Sequence, residues 1–401
     1  MSVPVQLPME QPSPLQPSPE LRVLQGRGPI HQVRTAVGDP AWMIIGYEHV
    51  RRLLDDDRLG RAHPEPERAS RTGESALFGG PLGDFDTEQA DHTRMRSLLQ
   101  PHFSPRRMRT LRPRVEELTR ALLDDLTAQG APGDLHAGLA LPLPIAVICE
   151  LLGVPYADRA RFRAWTQAAG DITDRARSEH GLAELFLYGR QLVARRREEG
   201  LLNDDGHGED ADVITRMART EGVGDDEAAM MGMFLLFAGH ETTVTAIGMG
   251  VVWLLADPAR WQALVADPAL IDQAVEEILR APGLGGGGGI PRYARTDLDI
   301  AGVRVRAGEL VLLDTGAANH DGTVFADPDN FDVTRPAPAH LTFGHGARYC
   351  IGAPLARIEL QTVFSQLIRR FPEMRLTVAV EELPFITDVL TSGPAELPVT
   401  W

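Results

Sequence analysis

Apolar residues recur at helical spacing over most of this chain. The pattern predicts helices over 47–54, 92–100, 106–129, 144–152, 158–169, 177–197 and 211–219. A long apolar stretch, 228–256, follows and starts near Asp225 and Asp226, which are good capping residues. Residues 261–265, 271–281 and 355–370 extend the helical run. Strand-like alternation is confined to short pieces. Residues 33–37 and 42–45 flank Gly38-Asp39-Pro40 and predict a hairpin. Residues 298–305 around Gly302, 310–313, 376–380 and 397–399 read as further short strands. The expectation is a mainly α fold with a small β-rich region fed by both ends of the chain. It forms a single domain, 19–401, built round the long central helix. Residues 1–18, rich in Pro, Gln and Ser, read as a flexible tail without a signal pattern. The Gly/Pro/Asp-rich connection 60–90, with Leu77 and Phe78, is long enough to be a lid or binding loop.

The central stretch is long enough to span a bilayer. Its only ionisable residues, His240 and Glu241, lie at its middle together with Thr242, Thr243 and Thr245, where a membrane tolerates them worst. A buried helix of a soluble protein explains it better. The net charge of −16 on 401 residues argues against a nucleic-acid binder. All 40 basic residues are arginine, which suits a GC-rich genome. The two cysteines, Cys149 and Cys350, cannot form a disulfide framework and fit a reducing cytoplasm. Cys149 sits in an apolar run and reads as a core residue.

Cys350 lies in Phe343-Gly344-His345-Gly346-Ala347-Arg348-Tyr349-Cys350-Ile351-Gly352, with no second ligand at zinc spacing. Glycines let backbone N–H groups curl toward a thiolate, and the helix that follows adds the positive end of its dipole. Such a sulfur suits one strong bond to a soft metal; for Cys350 taken alone, a buried free cysteine in a turn is the alternative. The decapeptide resembles the haem-binding loop of the cytochrome P-450 superfamily, F-x-x-G-x-R/H-x-C-x-G. The resemblance covers about residues 20–401 and implies the triangular fold of that family. It implies haem b with Cys350 as iron ligand, Phe343 shielding the sulfur, Gly352 in the loop and Arg348 at a propionate.

Ala238-Gly239-His240-Glu241-Thr242-Thr243 lies mid-way along the central helix, where glycine costs about 1 kcal/mol relative to alanine. Ala238 and Gly239 would leave space above a flat cofactor, Thr242 would place its hydroxyl in the helix ladder, and Glu241 would pass protons inward. A close helix–helix contact is the alternative. The segment resembles the family's oxygen-activation motif, with Glu241 and Thr242 as its acid and alcohol. His92 and Arg96, one turn apart, can grip a carboxylate; the resemblance points them and Arg292 at the propionates. Glu277 and Arg280 share a helix face and, alone, would be an ordinary salt bridge. They match the family's E-x-x-R pair, with Arg335 as third partner in a structural network.

Seven arginines and no acid lie between Arg94 and Arg114. They are either a solvated face or a docking patch for an acidic electron donor. Gly285–Gly289 lacks the context of a phosphate loop. Gly287, Gly288 and Gly289 are expected to form a side-chain-free wall of the substrate pocket; a plain linker is the alternative.

The implied function is haem-dependent insertion of one oxygen atom of O2 into a C–H or C=C bond of a bulky, largely apolar small molecule of macrolide or polyketide type. Electrons would come from NAD(P)H through a ferredoxin and its reductase, since the chain has no flavin or nicotinamide fingerprint. A haem-thiolate isomerase or dehydratase, or a non-catalytic haem protein, is the alternative, though neither needs the Glu241–Thr242 pair. The protein is expected to be a cytoplasmic monomer.

Overall fold

A computed structural model describes residues 4–202, 211–281, 289–336 and 339–401. Its axis is the helix Asp225–Leu255, whose first turn carries Asp225, Asp226 and Glu227 at the positive end of the helix dipole. Helices Pro142–Leu152, Arg175–Leu202, Ile271–Arg280 and Ala353–Arg370 pack around it. It is long and apolar enough to cross a membrane, but 67% of its most apolar window is buried inside the protein. Burial on all sides is what an all-round apolar helix requires.

Helix starts follow local chemistry that periodicity alone does not show. The helix expected at 92 begins a turn earlier, spanning Glu88–Leu99, which brings Glu88 into the structure's interior. The one expected at 144 spans Pro142–Leu152 because Pro142 is well suited to a first turn. That expected at 211 starts at Val213, where the Asp212 side chain accepts from the Thr215 N–H at 2.7 Å.

The main sheet has six strands in the order Val5–Gln6, Ile30–Arg34, Pro40–Ile44, Leu310–Leu313, Ile290–Ala294 and Leu59–Gly60. The expected hairpin is present but shifted. Its turn already begins at Thr35, whose carbonyl accepts from the Gly38 N–H, so residues 35–37 leave the strand. The expectation of a flexible tail does not hold over its described part. Val5 pairs with Val33, and Leu7 and Met9 are buried in an apolar cluster with Leu21, Leu24 and Met43. Burying these side chains outweighs the polar composition that suggested a tail. At the other end, Arg375–Leu376 pairs with Pro398–Thr400, which also takes Gly133–Asp134 as a partner.

Candidate active site

The Cys350 loop leads into the helix Ala353–Arg370. The N–H groups of Gly352 and Ala353 point at the sulfur and favour its charged form, as do Arg96 and Arg357, yet desolvation outweighs them and pushes the thiol up. Cys350 is an exposed residue, yet the protein around it still desolvates its sulfur. Its N–H donates to the Phe343 carbonyl at 2.8 Å. The Phe343 ring lies beside Tyr349 and His340 and under the Arg357 guanidinium, 4.7 Å from the ring centroid. Gly346 has φ +67, and a Cβ there would strike the Asp55 carboxylate, which accepts from the Ala347 N–H at 2.8 Å. Only glycine lets the loop come this close.

Around this loop the structure gathers cations from four parts of the chain. Arg292 is buried on its strand, and among the described residues its side chain makes one hydrogen bond, to the Pro291 carbonyl at 2.8 Å. Burial, then Arg61 and Arg348, lower its pKa to about 9, against the opposing pull of Glu88. Arg61 was not foreseen in the sequence; its Nε is buried without a partner among the described residues, and burial lowers its pKa. Half-buried His92 is held toward its neutral form by burial, then by Arg348, Arg96 and Arg292. Arg96 donates to the Tyr349 carbonyl at 2.9 Å. Glu88, also unforeseen, is the buried acid among them. It accepts from the Arg61 and Ala62 N–H groups, from Arg348 at 3.1 Å and from Arg295 at 3.4 Å. One carboxylate does not balance these guanidinium groups. An orphaned Arg61 Nε and an under-bonded Arg292 are what a dianionic cofactor would satisfy, so the residues fit a haem with two propionates.

On the central helix, Ala238 and Gly239 are half-buried and Thr242 is exposed, on a helix that is elsewhere largely buried. Ala238 and Thr242 share a face, and the Thr242 hydroxyl donates to the Ala238 carbonyl at 2.8 Å. At Gly239 a Cβ would meet Ile148 Cδ1 at 2.8 Å, so its bare backbone also serves the close contact with helix Pro142–Leu152. Glu241 points elsewhere, into a cavity of about 340 Å³ lined by Arg163, Thr166, Gln167, Asp171, Arg177, Asp388 and others. Desolvation raises its pKa, opposed by Arg163 and by Thr166, whose hydroxyl lies 3.4 Å from Oε1.

Glu277, Arg280 and Arg335 meet in one buried ion-pair network. Arg280 donates to both Glu277 oxygens at 2.7 and 2.8 Å, and Arg335 Nε to the same carboxylate at 3.1 and 3.2 Å. Arg280 also reaches the Asn319 and Pro328 carbonyls, and Arg335 the Ala326 carbonyl. Half-buried Leu77 and Phe78 pack against the main core. The Leu77 carbonyl accepts from Arg61, whose guanidinium lies 4.9 Å from the Phe78 ring centroid.

Two expectations change. Gly287 and Gly288 lie outside the described residues, but Gly289 is described, with φ +83. A Cβ there would lie 2.4 Å from the Leu313 carbonyl oxygen, so the neighbouring strand, not a pocket, requires this glycine. In the arginine-rich segment, Arg94 pairs with Glu227 and Arg114 with Glu150 and Glu117. The local positive excess is therefore smaller than the sequence suggests.

Residues 190–377 match the family description Cytochrome P450. Pentalenolactone synthase of Streptomyces exfoliatus is 43% identical over 98% of both chains. Mycinamicin IV hydroxylase/epoxidase of Micromonospora griseorubida is 39% identical over 94% of both. The substrate-free structure of cytochrome P450 PimD, a polyene macrolide antibiotic pimaricin epoxidase, superposes with a TM-score of 0.87 at 40% identity, covering 100% of each chain. The chain belongs to the cytochrome P450 family. It is a haem-thiolate monooxygenase, an oxidoreductase that uses O2.

Proposed function

We propose that this enzyme hydroxylates or epoxidises a bulky, largely apolar macrolide- or polyketide-type natural product in the cytoplasm of its host. Supporting this substrate class are the relatives named for mycinamicin and pimaricin. Electrons would arrive from NAD(P)H by way of a ferredoxin and its reductase. Cys350 would hold the haem iron, with Arg292, Arg348, Arg96 and His92, joined by Arg61, on the propionate side. Bound haem supplies O2 activation; the chain supplies ligand, position and protons.

The observation that carries the reading is the placement of Glu241 and Thr242. Adjacent in sequence, they face different spaces: Thr242 the open face of the central helix, Glu241 a cavity of mixed polar and apolar lining. Glu241, its proton affinity raised by burial, would pass its carboxyl proton inward and then be reprotonated through the cavity it faces. Thr242, its own proton committed to the Ala238 carbonyl, keeps its lone pairs free to position a water. An isomerase or a passive haem carrier has no use for this pair.

The test has two parts. A panel of macrocyclic compounds is screened for a low- to high-spin shift of the haem, and turnover of each binder is followed with and without reductant. Product that forms without electrons refutes the monooxygenase reading of substrate turnover. The ligand assignment is checked separately. Cys350→Ser should abolish the red-shifted band of the reduced carbon monoxide complex and Cys149→Ser should retain it; the reverse outcome refutes the assignment.

A further inference from the structure

A second cleft, of about 400 Å³, lies between helix Arg159–Ala169 and the start of helix Pro142–Leu152. One wall is apolar: Ala137, Leu141, Pro142 and Ile145. The opposite wall is a single face of the helix, where Ala160 and Ala164 leave room between the guanidinium groups of Arg159 and Arg163. Arg159 is held against the Tyr156 ring, 4.4 Å from its centroid, so one cation is already oriented.

His240 forms part of the lining and is only 1% exposed. Among the described residues, neither of its ring nitrogens has a hydrogen-bond partner. The Glu241 Oε1 atom lies 3.3 Å from Nδ1, and the Leu141 backbone is close enough to raise the ring's proton affinity, but neither contact meets the geometry of a hydrogen bond. Burial, then Arg163, lower the pKa of His240 to about 4, so at neutral pH the ring is uncharged and offers one N–H and one lone pair. An imidazole buried with both nitrogens idle is rare, and in a native structure it calls for a partner. The motif around it accounts for Glu241 and Thr242 and gives His240 no task.

We propose that this cleft is a second small-molecule site, which takes an organic monocarboxylate with a compact apolar body. The carboxylate would lie between Arg159 and Arg163 and accept from the His240 N–H, with the apolar part against Leu141, Pro142 and Ile145. The volume is at the small end of ligand pockets, which excludes a macrocycle and suits a ligand of simple aromatic-acid size. Arg163 also lines the cavity at Glu241, so an anion held here draws on the same guanidinium that opposes Glu241's desolvation.

Phenylacetate is the probe, with neutral phenylacetamide as its control, titrated calorimetrically into the haem-loaded enzyme while the haem spectrum is followed. The expected result is saturable binding of phenylacetate with no spin-state change, and binding of the amide weaker by about tenfold or more, because the charge-assisted bonds are lost. Ala160→Phe, which fills the cleft, should abolish binding; Arg159→Gln, on the exposed rim, and His240→Leu should each weaken it. Variants are compared only at equal haem content, and Arg159→Gln keeps the test decisive if Ala160→Phe fails to fold. No saturable heat would mean that the cleft holds only water and would overturn the proposal. Binding that shifts the haem spin state, or that survives both Ala160→Phe and Arg159→Gln, would place the probe elsewhere and overturn it equally.

Discussion

Glu88 and Arg348, 260 positions apart in the chain, meet at 3.1 Å between carboxylate and guanidinium. The contact ties the first turn of helix Glu88–Leu99 to the loop that carries Cys350. Glu88 is buried and also accepts from two backbone N–H groups, so it lies where neutralising it cannot be compensated by water.

Glu88→Gln should therefore destabilise the haem-free protein by about 1–3 kcal/mol, the cost of an imperfectly satisfied buried group beside several cations. The haem-loaded protein should lose less, because propionates supply the missing negative charge. Urea unfolding with and without haem measures both. Equal losses in the two states would show that the cation cluster does not face the cofactor.

Thr242→Ala should leave the fold intact, since the lost hydroxyl bonds only within its own helix. Product formed per NAD(P)H should fall by about tenfold or more, at the modest end of proton-transfer effects, with peroxide accounting for the difference. Peroxide assays alongside product quantification decide the matter. Unchanged coupling removes Thr242 from proton delivery.

Glu359 is fully buried on helix Ala353–Arg370, and its Oε2 has no partner among the described residues. Burial raises its pKa well above the ordinary glutamate value. The sign follows from that direction. Its contribution to stability is fully present below the unfolded glutamate pKa, about 4.3, and is lost as pH rises through the folded one. Glu359→Gln cannot ionise, so its stability relative to wild type should climb steadily as pH rises from about 5 to 8. Parallel unfolding curves across that range would contradict the assignment of a buried, protonated Glu359.

Gly289 and Gly302 both have positive φ, +83 and +80, but only Gly289 has backbone where a Cβ would go. Gly302→Ala should cost about 1–2 kcal/mol, from the left-handed conformation alone. Gly289→Ala should cost clearly more, as strand Leu310–Leu313 must move. Thermal melts of the two variants compare them, and similar midpoints would mean that the strand yields freely.

The Cys350 loop, the central helix and the Glu277–Arg280–Arg335 network were legible because each is written in contiguous residues or at helical spacing. Glu88 and Arg61 were not. Their partners lie far along the chain, and the only local signal was a glutamate one turn before His92. Gly239 and Gly289 were only half legible for a related reason. A glycine records that something comes close but not what, and here the neighbours are Ile148 and the Leu313 backbone. The ordered residues after Pro4 escaped because composition does not show a strand partner 28 positions away, as Val33 is from Val5.

The connection 60–90 is fastened to a distant part of the molecule: the Glu74 N–H donates to the Ile172 carbonyl and the Ala76 N–H to the Ser178 Oγ, each at 3.0 Å. A flap latched both to the first turn of helix Arg175–Leu202 and to the segment before it cannot swing alone; it must unlatch first or carry them with it. If ligands pass beneath it, their arrival is timed by the unlatching rather than by collision. Association would then level off at high ligand concentration, and ligands of quite different size would share one ceiling rate.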